Sequence, residues 1–332
     1  MSADQTLLLK RSDVATLLSP EECIQAVEDA FRLHGEGKAP TPGILGVHTS
    51  NGGFHIKAGV LNYLGNHFVA KTNANFPQNR QNFGLPTIQG VIAVSDADNG
   101  RLLCLMDSIE VTILRTGAAT AVAAKYLSRR NSSIATIWGC GNQGKISTRM
   151  LANVLDLKVV YVYDIDKSAA DQLVTQLQLE LDLDLVAVDD PLPAVAGSDV
   201  VVTCTPSKKP LIGAKDVRPG TFIAAVGTDS ESKQELDPSL FKSSRVVVDL
   251  LDQSATIGDL HHALEQKVLS KGDVYAELGE IVCGKKNARG SGEEIVIFDS
   301  TGMALQDVAA ASIVYKKAAK QGIGLQLNFN DL

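Results

Sequence analysis

The sequence predicts an α/β protein: a Rossmann-type, doubly wound parallel sheet that follows an α+β domain of mostly antiparallel strands. Three observations carry that reading. Between about residues 134 and 301, β-rich runs at 134–138, 157–164, 184–188, 199–205, 221–227, 245–249 and 294–298 alternate with helical segments. Their near-continuous apolar character, as in Val200-Val201-Val202 and Val246-Val247-Val248, is what a parallel sheet covered on both faces requires. The first run leads directly into Gly139-Cys140-Gly141-Asn142-Gln143-Gly144, a complete G-x-G-x-x-G turn. Upstream, the stretches 54–61, 68–73 and 88–106 alternate apolar and polar residues without helices between them, the pattern of antiparallel strands.

Taken in order, the chain opens with a helix near Pro20 to Gly35, acidic at its start (Glu21, Glu22) and then apolar at Ile24, Val27 and Phe31. Asp98-Asn99-Gly100 lies between Val91-Ile92-Ala93-Val94 and Leu102-Leu103-Cys104-Leu105, a strong hairpin signal. An Ala-rich helical stretch from Leu114 to about Arg129 links the two domains. After the glycine turn a helix is expected from Lys145 to about Asp156. The last helical run, Gly302 to Lys320, is apolar at Val308, Ala311, Ile313 and Val314 and is expected to return to the first domain. The division is therefore residues 1–113 with 303–332 as the first domain and 114–302 as the second, in keeping with the roughly 100 to 200 residues of a typical domain. No internal repeat or low-complexity segment interrupts it.

Composition narrows the function. Of 332 residues, 45% are hydrophobic and 21% charged, and no apolar run approaches the roughly 18 residues of a membrane span. Met1-Ser2-Ala3-Asp4-Gln5 lacks the basic start and apolar core of a secretory signal, so a cytoplasmic location is expected. The five cysteines are scattered and without the spacing of a zinc site, so no metal is expected. The pair His261-His262 reads as a solvated helix end rather than a metal site, since neighbours on a helix point apart. A net charge of −7 argues against nucleic-acid or anionic-membrane partners, leaving a small-molecule substrate.

The turn is built to hold a pyrophosphate. Gly139 permits the tight bend, Gly141 lets backbone approach phosphate without a Cβ, and Gly144 lets the next helix close on the strand. That helix offers its unpaired N–H groups and positive dipole end to the anion. Asp164 ends the second run, 20 residues beyond Gly144, where a carboxylate accepts both ribose hydroxyls and repels a 2′-phosphate. NAD is therefore favoured over NADP, with Lys167 tempering the preference.

Other candidates are less specific. Lys57 and Lys71 lie in strands that otherwise read as core-facing, where a lysine ordinarily takes the solvated face; the polar loop Asn73 to Asn79 beside Lys71 is suited to lining a site. Arg115, at the predicted start of the linker helix, has the planar fork that suits a carboxylate or an interdomain salt bridge. Asp229 follows the run Thr221 to Thr228, at the carboxyl end where open α/β sheets bind ligands. It reads either as a proton-exchanging carboxylate or as the N-cap of a following helix. Thr203-Cys204-Thr205 and Phe298-Asp299-Ser300-Thr301-Gly302 end strands too, and the hydroxyls of Thr205 and Ser300 are placed to meet the cofactor.

Together these segments resemble the ornithine cyclodeaminase/μ-crystallin family from about residue 8 to 325. The matching signatures are Gly84-Leu85-Pro86-Thr87, Leu114-Arg115-Thr116-Gly117-Ala118-Ala119, the glycine turn with Gln143, Gly227-Thr228-Asp229, Glu235-Leu236, Gly258-Asp259-Leu260 and Phe298 to Gly302. The resemblance implies a homodimer joined through the first domain, with substrate held between that domain and the Rossmann domain. It implies that Lys71 and Arg115 bind the substrate carboxylate, that Asp229 is the acid/base near the nicotinamide, and that Thr116 and Asn142 line the cofactor. The implied activity is hydride transfer at the Cα of a small L-amino acid, ornithine cyclodeaminase-like or alanine dehydrogenase-like. The alternatives are an NAD(P)H-dependent ketimine or cyclic-imine reductase and a non-catalytic μ-crystallin-like binder. The acid at Asp229 favours an enzyme.

Three departures from the family pattern bear on substrate. Thr41-Pro42-Gly43-Ile44 lacks the arginine many members carry; Lys57-Ala58 stands for a common Met-Pro; and His55 stands where the cyclodeaminases have an acid. Lys57 is read as replacing the missing cation. A hydroxy-acid dehydrogenase is disfavoured, because no histidine follows a Rossmann strand in a position to relay a proton.

Overall fold

In the computed structural model, which describes residues 5–329, the chain divides into two compact units, Met1–Arg115 with Met303–Leu332 and Thr116–Gly302. The predicted domain ends at residues 1 and 332, and the Met1 to Asp4 stretch read for a leader, lie outside the described residues.

In the Thr116–Gly302 unit, eight strands form one parallel sheet in the order Asp184–Ala187, Val159–Tyr163, Ile134–Trp138, Val200–Thr203, Phe222–Ala225, Ile295–Asp299, Ser244–Val248 and Ala276–Glu277. Strand order reverses beside Ile134–Trp138, the switch point at which such sheets bind ligands. Val200 to Thr203 and Phe222 to Ala225 are buried throughout, which is why these runs show no polar alternation. Val201, Ile223, Val246 and Ile297 pack on one face with Leu240 and Leu260 from covering helices. At a few kcal/mol or less for each large apolar side chain withdrawn from water, such layers are the main stabilising term. A short parallel pair, Lys208–Ile212 with Gln234–Leu236, stands apart from the sheet.

The other unit is α+β, built on a seven-stranded sheet among the described residues. Its order is Leu325–Asn328, Gln5–Leu9, Leu102–Asp107, Ile88–Asp96, Asn66–Asn75, Gly52–Asn62 and Gly43–Thr49, antiparallel except where Gln5–Leu9 meets Leu102–Asp107. The hairpin turns at Gly100, φ +80°, where only a glycine adopts the left-handed region without strain. Helix Pro20–Gly35 starts on a capping box in which the Ser19 hydroxyl accepts from Glu22 N–H and the Glu22 carboxylate from Ser19 N–H.

The last helix, Ala304–Gln321, lies on one face of this sheet: Leu305 closes on Gly59, Asp307 meets Lys71 and Ser312 meets His67. Side chains alternate across a strand, so Lys57 and Lys71, registered opposite each other, share that covered face. The opposite face carries Leu8, Leu45, Val47, Phe54, Phe68, Val91 and Leu325, all exposed.

Two helices begin earlier than the sequence suggests. The Ala-rich helix is Ile109–Leu127 rather than 114–129, because Glu110 and Val111 extend it from Asp107, whose carboxylate caps Ile109 N–H at 2.9 Å. Arg115 is therefore in its second turn. The helix after the glycine turn is Asn142–Ala152, not 145–156, with Gly141 as its N-cap. No helix among the described residues is long and apolar enough to cross a membrane.

Candidate active site

The glycine turn is shaped by contacts that exclude side chains. Gly139 has φ +112°, and a Cβ there would stand 2.8 Å from the Cys204 carbonyl oxygen. A Cβ on Gly144 would collide with the Gly139 carbonyl oxygen. At Gly141 the reason differs, because a Cβ would meet nothing within 4 Å. Protein packing does not demand a glycine there; open space over the turn, where a pyrophosphate would lie, does. Gly141 contributes no side-chain cap, so the N–H groups of the first helical turn point to that space without one. Gln143 Oε1 is buried without a partner among the described residues. These features fit a dinucleotide.

Asp164 is fixed by its neighbours. Its Oδ2 accepts from Cys140 N–H at 2.7 Å and its Oδ1 from Asp166 N–H at 3.0 Å. Lys167 is drawn to Asp189 at 2.6 Å across an exposed surface.

At the carboxyl ends of the central strands, four fully buried carboxylates hold the loops. Glu235 accepts from Thr205 N–H and Thr205 Oγ1–H at 2.6 and 2.7 Å and from Gly227 N–H at 2.9 Å. Asp259 accepts from the N–H groups of Glu235 and Leu236 and from the Thr228 hydroxyl. Asp299 accepts from Asp259 and Leu260 N–H. Asp249 accepts from the Thr301 hydroxyl at 2.9 Å and from Gly302 N–H. Burial, with the charge of Asp259, pushes Glu235 up to about 7; burial also raises Asp259, to about 6 against its backbone donors, and lifts Asp299.

Three predicted residues stand on the same loops. Thr205 is held by Glu235, and Ser300, buried, donates its N–H to the Ala225 carbonyl oxygen. Asp229 stands beyond the Gly227-Thr228 anchor with 47% of its side chain exposed, bridged to Lys233 at 2.6 Å. No helix follows it; residues 230–232 bend and turn into Gln234–Leu236, so the N-cap reading of Asp229 is set aside. Thr116 is buried in Ile109–Leu127, its carbonyl accepting from the Thr120 hydroxyl. His261 and His262 are half-buried rather than solvated, His262 Nε2 lying 2.7 Å from the Lys233 carbonyl oxygen.

The α+β unit gathers Lys57, Lys71 and Arg115 around a residue that sequence reasoning missed. Asp307 Oδ1 accepts from Lys71 Nζ at 2.7 Å and lies 3.2 Å from Arg115 Nε. Arg115 Nη1 also donates to Gln306 Oε1 at 3.2 Å. Lysines directly opposite on neighbouring strands repel, and here both are under a helix, Lys57 7% and Lys71 2% exposed. Burial and the Arg115 charge push Lys71 down to about 7, against the pull of Asp307. Burial raises the Asp307 carboxyl, but Lys71 and Arg115 outweigh it and hold it below the usual value. Asp307 Oδ2 and Gln306 Nε2 are buried without hydrogen-bond partners among the described residues. Lys71 and Arg115 thus share one carboxylate, two cations on one anion, a set suited to a further anion. The neighbouring loop contributes less than expected: Asn73 accepts from Ser108 Oγ at 2.6 Å and Asn79 donates to the Pro86 carbonyl.

The sheet, its switch point and the glycine turn define a dinucleotide-binding protein of the Rossmann class. Residues 4–322 match the model of the ornithine cyclodeaminase/mu-crystallin family, and the chain belongs to that family. It is 38% identical over 326 residues to an alanine dehydrogenase of Archaeoglobus fulgidus, covering 98% of this chain and 99% of that one. Among solved structures, an archaeal alanine dehydrogenase dimer with bound NAD superposes with a TM-score of 0.94 at 37% identity, over 98% of this chain and 99% of that one. Thermococcus litoralis Δ1-pyrroline-2-carboxylate reductase, in complex with NADH and L-proline, gives 0.91 at 32% identity, over 97% and 100%. The chain is an enzyme of this family, with both fold classes expected from the sequence.

Proposed function

We propose that the protein is an NAD-dependent enzyme that transfers a hydride at the Cα of a small L-amino acid, with alanine dehydrogenase-like and ornithine cyclodeaminase-like outcomes as its two forms. The observation that carries this is the pairing of two buried cations, Lys71 and Arg115, with the one carboxylate of Asp307, where Asp307 Oδ2 and Gln306 Nε2 are buried without hydrogen-bond partners among the described residues. A substrate carboxylate supplies the missing charge, Arg115 offering a planar fork and the lysines compact ammonium groups. Gly139, Gly141, Asn142, Gln143 and Gly144 would hold the pyrophosphate of NAD and Asp164 its ribose, with Thr116, Thr205 and Ser300 lining the cofactor. When bound, NAD supplies the two-electron hydride acceptor. Asp229 takes the proton that the substrate ammonium loses before its Cα–H bond breaks; once water or a side-chain amine has added to the imine and given its own proton to solvent, Asp229 returns the first proton to the departing ammonia. Lys71, poised near neutrality by its burial, is the second group able to exchange a proton.

The favoured substrate side chain is small and uncharged, because His55 offers no carboxylate to a cationic one. The same groups run in reverse on a cyclic imine with NADH, which is the second reading; the L-proline and NADH of the pyrroline-2-carboxylate reductase complex favour keeping it. A pure binder has no use for an exposed carboxylate after a Rossmann strand, which weighs against the μ-crystallin-like reading. NAD rather than NADP follows from the Asp164 carboxylate, since Lys167 is engaged with Asp189. A second copy of the chain is the natural cover for the exposed apolar face of the seven-stranded sheet, a patch of the kind that marks an interface. Five free cysteines suit a reducing, cytoplasmic setting. The test is a screen of L-amino acids with NAD and of cyclic imines with NADH, with ammonia assayed separately. Activity on hydroxy acids alone would overturn the proposal.

A further inference from the structure

We propose that Glu235 is a positioning residue of the reaction: as a carboxylate it ties the ends of Val200–Thr203 and Phe222–Ala225 together, and so sets the places of Thr205 and Asp229. The inference rests on the reading of Asp229 as the proton-exchanging group and of Thr205 as a cofactor contact, and it adds the residue that holds both. Glu235 is fully buried in the three-residue strand Gln234–Leu236 and has no ion pair among the described residues. A buried charge without a counter-ion is costly to keep. What the carboxylate has instead is reach across two loops, Oε1 accepting from both donors of Thr205 and Oε2 from Gly227 N–H.

The partners of Glu235 are all donors, so the loops are built around its ionised form, which only accepts. A glutamine in its place has one acceptor oxygen. Its amide N–H groups would confront either Gly227 N–H or the Thr205 donors, and one strand end would come loose. Steric contacts show that the two ends are pressed together at this point. A Cβ on Gly227 would collide with the Thr205 carbonyl oxygen and stand 2.6 Å from Glu235 Oε2, so the carboxylate fits only against a glycine. Glu235 is fixed in turn by Asp259, which accepts from Glu235 N–H at 2.8 Å, Leu236 N–H at 2.9 Å and the Thr228 hydroxyl at 3.3 Å. Gly227 and Thr228 are thus both anchored, and Asp229 is the next residue in the chain.

The tie depends on a proton. Asp259 and His262, from helix Asp259–Glu265, are the ionisable groups on one side of Glu235, and the Cys204 thiol is on the other. Lys233 is engaged with Asp229 at 2.6 Å and with the Gly227 carbonyl at 3.3 Å, and Lys208, on the paired strand, is exposed. Burial and then the charge of Asp259 push the Glu235 carboxyl up to about 7. Below that pH Glu235 takes up a proton. One of its oxygens must then donate toward N–H groups that cannot accept, and one strand end is released. Both ends are therefore held above about pH 7, and one is lost as the pH falls through that value.

The test uses the full chain and two variants. Glu235→Gln should lower kcat by about 10- to 100-fold per NADH-binding site, the scale of a displaced catalytic group, with substrate KM changed less than kcat. Counting NADH-binding sites removes any loss that comes from misfolded protein. Gly227→Ala leaves Glu235 and Asp229 in the chain but forces them apart, so it should lose kcat to a similar extent; it also decides the matter should Glu235→Gln not fold. NADH binding is followed through Trp138, the single tryptophan, at the end of the strand that enters the glycine turn. Wild-type affinity should fall by up to about tenfold from pH 8 to pH 6, with the ionised fraction of Glu235, and that of Glu235→Gln should stay level. A wild type inactive on every amino acid and imine would sink the reading of Asp229, and the binding arm, which needs no turnover, would then judge Glu235 alone. Wild-type kcat in either variant, or the same pH dependence of NADH affinity in wild type and Glu235→Gln, overturns the proposal.

Discussion

Replacing Asp307 by asparagine tests whether the cation cluster behaves as a single electrostatic unit. The substitution keeps the shape but removes the carboxylate that Lys71 reaches at 2.7 Å and Arg115 at 3.2 Å, in a place where 1% of the Asp307 side chain is exposed. Breaking a buried pair in this way typically costs about 3 to 5 kcal/mol. Lys71 can relieve part of that cost by releasing its proton, so the loss depends on pH. Its folded value, about 7, is depressed below the roughly 10.4 of an unfolded lysine. Between those values the unfolded chain holds a proton that the folded one has released, so the Lys71 contribution to stability rises with pH across the window, by up to about 1.4 kcal/mol per unit. Without Asp307 the folded value drops further, because the one anion that raises it is gone, and the window extends below pH 7. Between pH 8 and pH 6 the wild-type cluster takes up a proton that the variant refuses. The variant should therefore be more destabilised at pH 6 than at pH 8, by about 1.4 kcal/mol. Urea denaturation of both proteins at the two pH values measures this directly. Equal destabilisation at pH 6 and pH 8 would refute the coupling of the Lys71 proton to Asp307.

Three further outcomes follow from the same geometry. Asp229→Asn should lower kcat by about 10²- to 10⁴-fold with NADH affinity and melting temperature little changed, as steady-state kinetics and fluorescence titration will record; full activity would remove Asp229 from the proton path. Gly141→Ala, whose methyl meets no protein atom, should fold normally yet weaken NADH binding by tenfold or more, whereas Gly144→Ala must displace the Gly139 carbonyl and should lower the melting temperature as well. Equal behaviour of the two variants would contradict the assigned roles. Val47→Asp with Phe54→Asp, on the exposed face of the seven-stranded sheet, should shift the mass measured by light scattering from dimer to monomer without loss of the fold.

The parallel sheet was legible because strands buried on both faces read as apolar runs, and each of the seven predicted runs overlaps an observed strand. Gly43–Thr49 was not, because all seven of its residues are exposed and no alternation marks it. Lys57 and Lys71 show where a period of two stops being informative. It tells which residues share a face, but only the helix Ala304–Gln321, more than 230 residues away in sequence from Lys71, decides which face is covered. Asp307 left one signal: Gln306-Asp307 is a polar pair within the otherwise small and apolar run Ala304 to Ile313, a place where a charge needs a buried partner. Glu235, Asp259 and Asp299 entered only as members of the family signatures and Asp249 not at all, since an acid that accepts backbone N–H groups from distant loops has no local sequence pattern.

With the role proposed for Asp164, the bond from Cys140 N–H to its carboxylate means that cofactor choice and turn geometry are not separate design variables. An engineer who exchanged Asp164 for serine to admit a 2′-phosphate would also remove a charged acceptor from the middle residue of the first glycine pair. The bend would lose its tether to the neighbouring strand, and part of any gain in selectivity would be given back as a looser grip on every dinucleotide. A successful switch therefore calls for a compensating acceptor for Cys140 N–H in the same variant, introduced from the residues that follow Tyr163.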